Sequence, residues 1–146
     1  MTIHVRRQLR EAASTLVAGL STTGANVFQS RMRPPLEGQL PCLLVSTNDE
    51  VVDSATIDGK QMRELSLVVM GMAKATVDVD DTLDAIALEV ETAIATDADL
   101  GGLAASVDLR AIKVDFDHST EKPVGLIQID YRITYFTLAG SPGVTV

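Results

Sequence analysis

The residues best equipped for acid–base, nucleophilic or metal chemistry are few: two histidines, His4 and His118, one cysteine, Cys42, and the acidic run Asp78-Val79-Asp80-Asp81-Thr82-Leu83-Asp84. Neither histidine sits at metal-ligand spacing or beside a nucleophile, so a solvated or loop-capping role is expected for each. The acidic run suggests a calcium loop, and Glu89 even falls at the twelfth position of a loop begun at Asp78. The sixth position of such a loop needs glycine for its sharp turn, and here it is Leu83. Helix capping explains the run better, with Asp80 or Asp81 accepting amide hydrogens of a first turn whose dipole favours negative charge. Gly101-Gly102 and the glycines near position 140 lack the lysine, spacing and preceding strand of a phosphate-cradling loop and read as turns. Cys42, between Pro41 and Leu43-Leu44-Val45, has no intrachain partner and is expected to be a buried small hydrophobe. The inventory holds no catalytic constellation and no cofactor or metal site, so the chain is expected not to be an enzyme. The competing reading is a small-molecule binding domain with Met70, Met72 and Tyr135 lining a pocket, although core packing accounts for the same residues.

Polar side chains that recur near prolines or along one strand face offer contacts rather than catalysis. Arg31 and Arg33 flank Pro34-Pro35-Leu36 and are placed to grip carboxylates of a partner, or simply to be solvated. A second proline-bearing loop runs from His118 through Glu121 and Lys122 to Pro123. Gln128, Asp130, Arg132 and Thr134 form a polar row that is either a subunit contact or plain solvated sheet. The net charge of −8 and the lack of basic patches interleaved with aromatic rings argue against nucleic-acid binding. The charge is nevertheless divided: residues 1–33 carry five arginines and one acid, Glu11, and the remainder is strongly acidic. Such polarity suits like copies that meet head to side, or a solvated arginine face on a first helix.

These residues must be positioned by a scaffold whose outline is plain. Val5, Leu9, Ala12, Ala13, Leu16, Val17 and Leu20 recur at helical steps and predict an N-terminal helix within 1–22. Strands are expected through 27–75. In that stretch Val27–Met32 alternates, Cys42–Thr47 opens as a buried apolar run that frays at Asn48-Asp49-Glu50, and Asp58-Gly59 marks a hairpin turn. Leu65, Leu67, Val69, Gly71 and Ala73 share one face of the next strand, which has the two-sided apolarity of the middle of a sheet. A second helix follows over 80–95 from Leu83, Ile86, Ala87, Val90 and Ile94. A strand pair over 106–137 comes next, with Ile112, Val114 and Phe116 on one face of the first strand and Ile127 to Tyr135 alternating in the second. Residues 139–146 read as a loose tail. This order predicts one α+β domain over 1–146, a largely antiparallel or mixed sheet of four to five strands with two main helices on one side. No apolar run reaches the roughly 20 residues of a membrane span.

Several phrases of the chain resemble the tail terminator, or tail completion, proteins of long-tailed bacteriophages, the minor tail protein U-like family. They are Val27 to Arg33 before a Pro-Leu loop, Leu40-Pro41-Cys42-Leu43-Leu44-Val45, the Leu65 to Ala73 strand, Asp81 to Ile94, Asp99-Leu100-Gly101-Gly102, and Ile127 to Thr137 with Tyr131-Arg132-Ile133-Thr134-Tyr135. The resemblance is one of pattern over roughly residues 3–138. It implies an α+β virion subunit that forms a hexameric ring on the finished tail tube, halts addition of tube protein and offers the surface that joins the head. The implied partners are further copies of the chain, the major tail tube protein and the head–tail connector or neck proteins. The implied location is the head-proximal end of the tail, after assembly in the host cytoplasm. A head-completion or neck protein is the nearest alternative. The family supplies no catalytic residue to transfer. The loops Arg31 to Pro41 and His118 to Pro123 and the polar row from Gln128 are the expected contacts.

Overall fold

The computed structural model describes residues 2–29, 37–118 and 123–146. Helix α1 spans Val5–Leu16, and Val5, Leu9 and Ala13 bury its inner stripe. His4 is its N-cap, its Nδ1 accepting the Arg6 amide hydrogen at 3.0 Å, in place of the solvated or loop-capping role expected. The helix ends at Leu16, six residues short of expectation, because the chain turns through Gly19 and Gly24 at φ of 77° and 57° and closes a small loop in which the Gly19 amide donates to Gly24 O and the Gly24 amide to Leu20 O.

Strand β1 is Val27–Phe28, β2 Cys42–Ser54, β3 Lys60–Lys74, β4 Ser106–Asp117, β5 Val124–Leu138 and β6 Ser141–Thr145, with helix α2 at Val79–Ala95 between β3 and β4. They make one mixed sheet in the order β1-β2-β3-β5-β4, with β6 added to β5; β1 runs parallel to β2 and every other pair is antiparallel. The α+β class with two helices and an open sheet is as the sequence predicts. Gly59 takes φ 95° in the β2–β3 hairpin, where the Asp-Gly pair anticipates a turn.

Three further features differ from expectation. Strand β2 does not fray at Asn48-Asp49-Glu50. One extra residue forms a bulge between Thr47 and Glu50, and pairing continues to Ser54. The stretch 139–146 is no loose tail: Leu138 pairs with Ser141 and Thr137 with Thr145, and Gly143 lies against Thr2 and Ile3. The caps expected from Asp80 or Asp81 are also absent. The N-cap is Asp78 without a side-chain bond, and the two acids sit in the first turn, where they still face the positive end of the dipole.

Across β3 and β5, Leu65, Leu67, Val69, Gly71 and Ala73 stand opposite Ile133, Tyr131, Ile129, Ile127 and Gly125 and form the face that both helices cover. Helix α1 lies on β2, and α2 lies on β3 and β5. Close approach of α2 depends on glycine at two points, since a Cβ at Gly71 would meet Ile86 at 2.7 Å and one at Gly125 would meet Val79 at 2.6 Å. Cys42 is buried at the start of β2, and burial pushes its thiol up to about 11.

Candidate assembly surface

The helix layer is one strand narrower than the sheet. Val107, Leu109, Ile112, Val114 and Phe116 of β4 pair with Ile133, Tyr131, Ile129, Ile127 and Gly125, so they belong to the face that the helices cover elsewhere. Helix α2 stops over β5, and of the five only Val107 packs against the core. Leu109, Ile112, Val114 and Phe116 remain 42, 43, 50 and 36% exposed. Among the described residues no strand pairs with the outer side of β4. The other face of β4 carries Asp108, Lys113 and Asp115, and a bulge interrupts the strand between Leu109 and Ala111, so what this edge offers another chain is the apolar row on its helix side.

Between this strip and α2 lies an open cavity of about 300 Å³, lined by Glu91, Ile94, Ala95, Ala98, Val107, Leu109 and Tyr131. Burial first and the Glu91 charge second push the Tyr131 phenol up to about 12. Helix geometry places Asp80, Asp84 and Glu91, spaced by four and seven residues, along one flank of α2. That helix carries five carboxylates, Asp80, Asp81, Asp84, Glu89 and Glu91, and no base.

The opposite margin of the sheet is basic on its helix side. Arg6 Nη1 lies 3.2 Å from Glu50 over the distal half of β2, and Arg10 Nε donates to Gln29 just after β1 at 3.1 Å. Both arginines therefore stand on the flank of α1 that follows the β1–β2 edge.

Glu50 anchors a buried polar cluster that the sequence does not reveal, because only the bulge turns this residue toward the helices. Its carboxylate accepts Arg63 Nη1 at 3.1 Å and the Tyr135 hydroxyl, while Arg63 Nε donates to Thr137 at 2.9 Å. Burial, and next the bond to Glu50, hold the Tyr135 phenol well above its ordinary range. All the partners of this cluster lie within the fold, and they tie α1 to β2, β3 and β5.

Of the site residues named from the sequence, Arg31, Arg33, Pro34, Pro35, Leu36, Glu121 and Lys122 lie outside the described residues. His118 is exposed and stacks on Phe116, with ring centroids 6.3 Å apart. Gln128, Asp130 and Arg132 sit on the face that neither helix covers. There Gln128 donates to Asp130 at 2.9 Å and Arg132 pairs with Glu64 at 2.9 Å, so the row is internally satisfied. Met70 and Met72 lie on this same open face and Tyr135 on the opposite one, so the three cannot line one pocket. The concavity beside Met70 is bounded by Leu44, Ser46, Asn48, Val68 and Gln128 instead. Among the described residues no three His, Cys, Asp or Glu side chains are grouped to hold a metal ion, and no helix is long and apolar enough to cross a membrane.

No family model and no curated protein matches the chain. Among solved structures the chain is similar to one in "Virion of native gene transfer agent (GTA) particle", at 18% identity and a TM-score of 0.49, covering 90% of each chain.

Proposed function

We propose that this chain is a structural subunit of a phage or prophage tail that forms a ring on the finished tube, terminates tube polymerisation and presents the surface to which the head joins. The sequence phrases that resemble the tail terminator family support this reading, as does the order of a helix, strands, a second helix and a closing strand pair. The observation that carries it is the β4 margin, an edge strand that pairs on one side only among the described residues, with an exposed apolar row beside an acidic helix. An exposed apolar row at a sheet edge favours contact with another chain, and a ring subunit uses such contacts on two sides. Binding by surfaces requires no cofactor and no catalytic group.

Deleting the gene tests the proposal. Tails of abnormal length with unjoined heads are expected, and supplying the chain in trans restores both. Unjoined heads beside tails of normal length would instead favour a head-completion or neck protein. Normal infectious particles would refute both readings.

A further inference from the structure

The two margins of the sheet complement each other in strand direction, in coverage and in charge. Strand β4 runs antiparallel to β5, β5 to β3 and β3 to β2, while β1 follows β2. In a head-to-tail row of copies, β4 of one therefore meets the β1–β2 edge of the next in antiparallel sense. Coverage fits as well, because the vacancy above β4 is one strand wide and α1 stands at the opposite margin. Seated there, α1 of the next copy would close the gap over Leu109 and Ile112. The charges agree: Glu91 lines the cavity and Asp80 and Asp84 continue the same flank of α2, while the flank of α1 that would approach carries Arg6 and Arg10.

We infer that the β4 edge, with the cavity between it and α2, is the docking site for a second copy of this chain, which presents its β1–β2 edge and the arginine flank of α1. This rests on the ring reading and names its contact. A symmetric contact of β4 with β4 is disfavoured, since it would leave a gap two strands wide and bring two acidic α2 flanks together. A head-to-tail contact uses different patches on each copy, so association continues past pairs and closes into a ring where the rotation between copies allows.

Mixing two blocked chains tests the inference. Ile112→Lys/Val114→Lys places charge on the β4 row, and Val51→Lys/Val52→Lys does so on the β2 edge; all four positions are exposed, so folding should survive. By light scattering at low salt, each blocked chain alone is expected to be monomeric, and an equimolar mixture to give one-to-one pairs and nothing larger. Dimers of the β2-blocked chain alone would mean β4-on-β4 pairing and overturn the inference. A wild-type chain that stays monomeric at all concentrations would overturn it also.

A second set of variants guards against misfolding. Arg10→Glu and Glu91→Arg should each weaken association about tenfold, and their combination in one chain should recover most of it. Failure to recover contradicts the contact. Tail-length complementation separates this contact from the function it rests on: blocked chains that still restore normal tails refute the interface and leave the terminator reading standing.

Discussion

Replacing Glu50 by alanine is expected to destabilise the fold by about 3 to 5 kcal/mol, measured by urea unfolding. The magnitude follows from what the truncation leaves behind. The Glu50 side chain is 6% exposed and the Arg63 guanidinium paired with it only 12%, so removing the carboxylate strands a charge that water barely reaches. Tyr135, fully buried, loses the acceptor of its hydroxyl at the same stroke, and Arg6 loses its tie to the sheet. Glu50→Gln should cost distinctly less, because an amide oxygen can still accept from Tyr135. A loss below about 1 kcal/mol for Glu50→Ala would mean that the cluster does not hold α1 to the sheet. Since α1 is also the helix inferred to enter the neighbouring copy, the same variant should weaken association.

The second large effect is expected at Gly71. A Cβ there would sit 2.7 Å from Cγ2 of Ile86 and 2.9 Å from Cγ2 of Ile127, both on β-branched side chains with little freedom to move aside. Gly71→Val should therefore lift α2 from β3 and cost about 3 kcal/mol, near the upper end of overpacking effects. Adding Ile86→Ala should return part of that loss, a coupling that a thermal-denaturation double-mutant cycle would register as non-additive. Strict additivity would show that α2 is not pinned at this glycine.

Much of this architecture could be read before any coordinates. Strands β3 and β5 are legible because they are buried on the helix side along most of their length, so the alternation of Leu65 to Ala73 and of Ile127 to Tyr135 is nearly unbroken. Helix α2 is legible because Leu83, Ile86, Ala87, Val90 and Ile94 keep helical spacing across its buried stripe. What periodicity cannot convey is how far a neighbouring layer extends. Ile112, Val114 and Phe116 alternate like core residues, and only the arrest of α2 over β5 makes them a surface. The bulge beyond Thr47 was hidden for a related reason, since Asn48-Asp49-Glu50 has the composition of a loop and is kept in the sheet by pairing with β3. Strand β6 contains Pro142 and Gly143, both poor strand residues, and is fixed by pairing with β5 and by packing near Thr2. The polar row of Gln128, Asp130 and Arg132 was visible as a row, but its internal pairing was not. The apolar β4 strip is therefore the stronger candidate for a contact.

The proposed closing of a ring at one end of a tail can be seen by electron microscopy of purified tails carrying a tagged chain. Label is expected at the head-proximal tip alone, as a single ring per tail. Label distributed along the tube, or a chain found only as monomer both by itself and with tube protein, would contradict it.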